Sequence, residues 1–149
     1  MLKSIRLIAV VFGLSMLATG CTNIATAKVD PNIQLVSLKT MYVQHYPSDN
    51  TKVNEEIAAK LRTKGAIVTT GDGPIPDNID ALVYYEDHWH WDITMYMLQL
   101  KVLIKDPKTM KVLAVGDSVH TSLTRKSQTE MVTEVIDDIY ANQPIATKK

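Results

Sequence analysis

Ile93-Thr94-Met95-Tyr96-Met97-Leu98-Gln99-Leu100-Lys101-Val102-Leu103-Ile104-Lys105 is followed by Asp106-Pro107-Lys108-Thr109 and then by a second apolar-rich run, residues 110–123. In the first run Tyr96, Leu98, Leu100, Val102 and Ile104 alternate onto one side, the period of a half-buried strand. Asp-Pro-Lys-Thr is turn chemistry, so residues 93–105 and 110–123 read as two strands of a hairpin. If Lys105 and Met110 flank the turn as partners, Val102 lies opposite Leu113 and Leu100 opposite Val115. The apolar faces of the two strands then coincide. The same register leaves a second, half-apolar face that includes Met95, Met97, Gln99, Lys101, Ala114, Gly116, Ser118 and His120. Such a surface is suited to receive a partner.

Working outward, residues 81–87 begin another strand, and residues 71–80, with two glycines and two prolines, form a loop. A short strand covers 66–70. Before it, Val53, Ile57, Ala58 and Leu61 recur at helical spacing within 52–64, with Gly65 as the stop and Ser48, Asp49 or Asn50 as the cap. Residues 35–46, rich in Val, Leu, Tyr and Thr, read as the first strand. On the far side, Ser127 or Thr129 caps a helix whose apolar face is Met131, Val132, Val135, Ile136, Ile139 and Tyr140. The order βαββββα predicts an α+β fold. It would be a two-layer sandwich, with one mixed sheet of about five strands and both helices on one face.

The N-terminus has a different character. Lys3 and Arg6 precede an apolar run from Leu7 to Ala18, about a dozen residues, too short for a permanent membrane span and typical of an export signal. Leu17-Ala18-Thr19-Gly20-Cys21 resembles the lipobox of bacterial lipoproteins, although Ala18 stands where that family usually has Leu. The resemblance implies cleavage before Cys21, lipid on that cysteine and a membrane anchor. Thr22 and Asn23, in place of an aspartate, imply the periplasmic side of the outer membrane over the inner membrane. Residues 1–20 are then a cleaved signal peptide, 21–34 a lipidated N-terminus and tether, 35–141 a single domain, and 142–149 a flexible tail. The layout of 35–141 behind a lipobox is similar to small periplasmic envelope lipoproteins of the lipopolysaccharide-assembly type, which implies scaffolding or assembly work.

Composition narrows the function classes. The chain has 16 basic and 16 acidic side chains, and losing Lys3 and Arg6 leaves 14 against 16. With no basic surplus, nucleic acid is not an expected partner. Cys21 is the only cysteine, so no intramolecular disulfide forms.

The segment Tyr84-Tyr85-Glu86-Asp87-His88-Trp89-His90-Trp91-Asp92 holds both tryptophans. On extended backbone His88 and His90 point one way and Trp89 and Trp91 the other. Trp89, Trp91, Met95 and Met97 are therefore the candidate partner-binding residues. His88 and His90, with His120 brought opposite Met95 by the expected register, are candidate ligands for Zn or Cu.

No catalytic residues stand out. Ser118 lacks a Gly-x-Ser-x-Gly elbow, and Gly71-Asp72-Gly73 lacks the Gly-Lys-Ser/Thr of a phosphate cradle. The sequence thus predicts a non-enzymatic, lipid-anchored periplasmic protein without a cofactor. It would bind another envelope protein or component, in an oligomeric state left open. A periplasmic metal-binding protein and a small hydrolase are the alternatives.

Overall fold

The computed structural model describes residues 23–144; the expected export segment and Cys21 lie outside them, as do residues 145–149. The strands are β1 Ile24–Val29, β2 Thr40–Gln44, β3 Ile67–Gly71, β4 Ala81–Asp92, β5 Thr94–Lys105 and β6 Val112–Val119. The helices are α1 Val53–Thr63 and α2 Gln128–Ala141. One six-stranded sheet has the order β1-β6-β5-β4-β2-β3. Its β3–β2–β4 part is parallel and the rest antiparallel, so the sheet is mixed. α1 packs on β2 and β3, α2 on β1, β6 and β5, and the helices touch each other. The fold is the expected α+β sandwich with one strand more.

The helices form where their spacing predicts. Val53, Ile57, Ala58 and Leu61 are buried along α1, and the six predicted apolar residues of α2 are all buried. Ser127 caps α2 in a capping box with Glu130, each side chain answering the other residue's backbone N–H. At α1 the residue before the helix, Lys52, has φ +63° and caps nothing; Asp49 reaches the Asn54 N–H instead.

The additional strand is β1, in the stretch assigned to the tether. It pairs antiparallel with the edge of β6, Ala27 opposite Gly116 and Val29 opposite Ala114, and Ala27 and Val29 pack on the core. Small and polar residues alternate too weakly there to announce a strand, and the edge of β6 supplies the partner that makes it one. Conversely, residues 35–46 are not one strand. Leu35–Ser37 is a 3₁₀ turn with Leu35 buried, and β2 starts only where Asp80 accepts the Lys39 and Thr40 N–H groups.

β3 and β4 flank β2 and both run parallel to it, so residues 72–80 must return along β2. Met41 and Val43 face the helices, which puts Tyr42 on the other face, and the Tyr42 hydroxyl donates to the Gly73 carbonyl. The loop therefore crosses the face without helices and covers Tyr42.

The β5–β6 register departs from expectation by three residues. Val102 lies opposite Gly116, Leu100 opposite Ser118 and Ile104 opposite Ala114. The turn is longer than the Lys105–Met110 pairing assumed. Asp106 N–H donates to the Lys111 carbonyl, the Asp106 carboxylate accepts the Lys108 and Thr109 N–H groups, and Met110 takes φ +58°. An odd slip carries every β6 side chain to the opposite face. Ala114, Gly116, Ser118 and His120 therefore face the helices and not the open side.

Candidate functional site

β4 and β5 run beyond the rest of the sheet. β6 stays paired with β5 only to Gln99–Val119, followed by one further bond from His120 N–H to the Leu98 carbonyl. Past that point the hairpin continues to a tip at Ile93, whose φ is +63°. Residues 121–125 brace its flank. The Arg125 guanidinium donates to the Thr94 hydroxyl at 2.6 Å, lies 4.9 Å above the Tyr96 ring and sits 3.8 Å from the Asp92 carboxylate.

A bulge sets which side chains show. Leu98 is skipped between the pairs His88–Gln99 and Trp89–Met97, after which His90 meets Tyr96 and Trp91 meets Met95. Trp89, Trp91, Met95 and Met97 thus share the helix side, and His88, His90 and Tyr96 share the other. The four candidate partner-binding residues do not behave alike. Met97 is 1 % exposed and belongs to the core, which removes it as a contact for a partner. Trp89 is half-buried against that core, its indole N–H donating to Asp87 at 2.6 Å. Trp91 and Met95, farther out, are 66 % and 56 % exposed.

The three candidate metal ligands are not brought together. His88 and His90 are exposed on the open side, and His90 meets Tyr96 edge-on at 5.7 Å. His120 is buried on the helix side. The register slip brings His120 level with Leu98 and not with Met95, whose one cross-strand partner is Trp91 on β4. Among the described residues no cluster of three or more His, Cys, Asp or Glu side chains is arranged to hold a metal ion.

His120 belongs to a different centre. Its Nε2 is 2.7 Å from Glu134 on α2 and its Nδ1 is 3.0 Å from the Thr124 carbonyl. The Ser118 hydroxyl and Lys126 ammonium donate to the same carboxylate, each at 2.6 Å. Burial opposes ionisation of Glu134, but the bonds from Lys126, Ser118 and His120 outweigh it and hold the carboxyl at about 2. Serine, histidine and glutamate are the residue types of a hydrolase triad, yet here serine and histidine both bond to glutamate. A base-activated nucleophile needs the histidine on the serine and the serine facing a substrate. Ser118 is fully buried, so the arrangement ties β6 to α2.

This centre predicts a pH response. The Glu134 carboxyl titrates near 4.5 when unfolded and about 2 when folded. Its ionised form therefore favours folding, fully above about 4.5, and that contribution is lost as pH falls through about 2. Glu134→Gln should flatten the decline of Tm over this window. Parallel acid melts of the two proteins are the measurement, and equal slopes would refute the assignment.

A second polar cluster had no signal in the sequence. At the end of β2, His45 places Nδ1 on Asp72 and Nε2 3.1 Å from the Asp49 carbonyl. The Asp72 contact leads the effects that raise the His45 pKa above 6.5. Beside it lies a cleft of about 360 Å³ on the open face, bounded by Tyr46, Tyr84, Lys101, Leu103 and Lys105. Lys105 sits 4.7 Å above the Tyr84 ring. The open face is thus apolar in patches, mixed in charge where Lys101 lies between Glu86 and Asp117, and free of helices.

Taken together, these features define a two-layer α+β sandwich with one sheet face free of helices, covered at its β2 side by residues 72–80, and a projecting hairpin with an apolar tip. No family model and no curated protein sequence matches the chain. Among solved structures it is similar to the PelC dodecamer from Paraburkholderia phytofirmans, with TM-score 0.59 and 13% identity over 80% of this chain and 99% of that one. It is also similar to a DUF4136 family protein from Bacteroides thetaiotaomicron, with TM-score 0.51 and 9% identity over 80% of this chain and 95% of that one. At such identities the likeness is one of fold. Among the described residues no helix is long and apolar enough to cross a membrane.

Proposed function

We propose that this protein is a lipid-anchored, non-enzymatic component of the bacterial envelope that binds another envelope protein through the helix-free face of its sheet. The observation that carries the reading is one-sided packing. Both helices lie on one face, and the other presents Gln99, Lys101, Leu103 and Lys105 of β5 beside Tyr84 and Glu86 of β4. A half-apolar surface of mixed charge with a shallow cleft fits protein recognition better than catalysis, which calls for a pocket with convergent reactive groups. The fold shared with a protein that assembles as a dodecamer is consistent with scaffolding work. The lipobox-like Leu17-Ala18-Thr19-Gly20-Cys21 supplies the anchor, and Thr22 and Asn23 favour the periplasmic side of the outer membrane.

Two measurements test this reading. Metabolic labelling with a fatty-acid analogue should mark the wild type and leave Cys21→Ser unlabelled; equal labelling would remove the anchor. Crosslinking in the native envelope followed by capture should give a discrete partner band. Lys101→Gln combined with Leu103→Thr, which keep strand-compatible side chains and place no third carboxylate between Glu86 and Asp117, should weaken that band at nearly unchanged Tm. An undiminished band would exclude the helix-free face as the binding surface.

A further inference from the structure

We propose that the tip of the β4–β5 hairpin dips into the membrane to which Cys21 is anchored, so that the domain is held at the lipid surface in one orientation. This rests on the lipid-anchor reading above and adds a second, protein-borne contact with phospholipid.

β1 begins at Ile24, three residues after Cys21. Three extended residues span at most about 10 Å, so a lipid on Cys21 keeps this end of the sheet close to the bilayer. A tether reaching to residue 34 would have let the domain swing freely; β1 removes that freedom. Asn23 is moreover bonded to the Thr124 hydroxyl, beside the segment that braces the hairpin.

Ile24 lies opposite Val119, and Val119 opposite Gln99, so Ile24 is level with Gln99 of β5. The chain before Ile24 leaves toward the same end as the hairpin, whose tip at Ile93 is six residues beyond Gln99. At the rise of a strand the tip stands roughly 15–20 Å past Ile24. The tip therefore reaches as far as Cys21 can, or farther. The surplus is comparable to the depth of about 5–10 Å to which interfacial protein segments enter a bilayer.

Ile93 is 85 % and Leu123 83 % exposed, the two most exposed large apolar side chains among the described residues. Trp91 and Met95 pair across the hairpin just behind Ile93, and Leu123 is tied to the tip through Arg125 and Thr94. An indole with apolar neighbours on one side of the hairpin, and a guanidinium over Tyr96 on the other, suit the headgroup boundary, where tryptophan and arginine concentrate. Folding does not explain isoleucine at position 93. Its φ of +63° suits asparagine or glycine and strains a β-branched residue. A locally unfavourable, exposed apolar residue at a projecting turn marks a site kept for contact.

The experiment uses the full-length lipidated protein in phosphatidylethanolamine–phosphatidylglycerol vesicles whose acyl chains are brominated close to the headgroups. Flotation reads anchoring and bromine quenching of tryptophan reads the tip. The protein should float and lose tryptophan emission, Trp91→Phe should abolish most of that loss, and Trp89→Phe should leave most of it. Ile93→Asn with Leu123→Asn should float equally and melt no lower, because asparagine relieves the turn, yet lose much of the quenching. Flotation without quenching, or quenching unchanged in the double variant, overturns the proposal while the anchor stands. Failure to float removes the anchor and the tip contact together. Trp91 shielded by a second copy of the hairpin would appear as flotation without quenching and counts against it.

Discussion

Asp49→Ala is expected to cost about 3–4 kcal/mol, because one buried carboxylate then leaves several donors without a partner. Asp49 accepts the Tyr85 hydroxyl at 2.7 Å, the Thr51 N–H and hydroxyl at 2.7 and 3.0 Å, and the Asn54 N–H at 3.4 Å. It thereby joins β4, the loop after β2 and the first turn of α1, where Lys52 provides no side-chain cap. Burial disfavours its charge, but the bonds from Tyr85, Thr51 and Asn54 prevail and its pKa lies below 3.8. The stabilisation is therefore full above the unfolded value and lost as pH falls through the folded one. Urea melts of the wild type, Asp49→Asn and Asp49→Ala near neutral pH should rank in that order. A loss below about 1 kcal/mol for Asp49→Ala, the scale of an ordinary exposed substitution, would mean that the latch is absent.

Gly116→Val is expected to be as damaging, roughly 3 kcal/mol or more, through overpacking at the seam between β6 and α2. A Cβ at position 116 would lie 2.8 and 2.9 Å from two Ile139 carbons and 2.9 Å from Val135 Cγ1. Both neighbours are β-branched and stiff at χ1, so the helix must shift as a body. Ile139→Ala makes room, and the double variant should recover part of the loss. Strict additivity of the two losses would show that position 116 does not face α2. The same substitution separates the two registers. With Val102 opposite Leu113, residue 116 would face the open side and valine would be tolerated or favourable.

That contrast locates the boundary of what one sequence can say about the site. The Trp89/Trp91 segment was legible because both tryptophans fall within three residues on a strand, and their shared side follows from strand geometry alone. What each ring does was not legible. The bulge at Leu98 puts Met97 beneath the helices, and only the length of the hairpin beyond β6 leaves Trp91 in the open. The Glu134 centre and the Asp49 latch were invisible for another reason. Tyr85 is 36 residues from Asp49, and Ser118 is 16 from Glu134, so nothing local signals either contact.

The sequence by itself determined the two helices, their buried faces, the Gly65 stop, the strands β3, β5 and β6, and β4 as far as Asp87. Each is encoded by a short-range period or by cap and turn chemistry within a few residues. Tertiary structure alone decided the β5–β6 register and the existence of β1. Register hinges on how many residues the turn consumes, and an odd difference exchanges the two faces of a strand at no cost in local pattern. An edge strand of alternating small residues has no stability of its own. Ile24–Val29 becomes one only because β6 offers unpaired backbone groups and α2 gives Ala27 and Val29 a surface on which to pack.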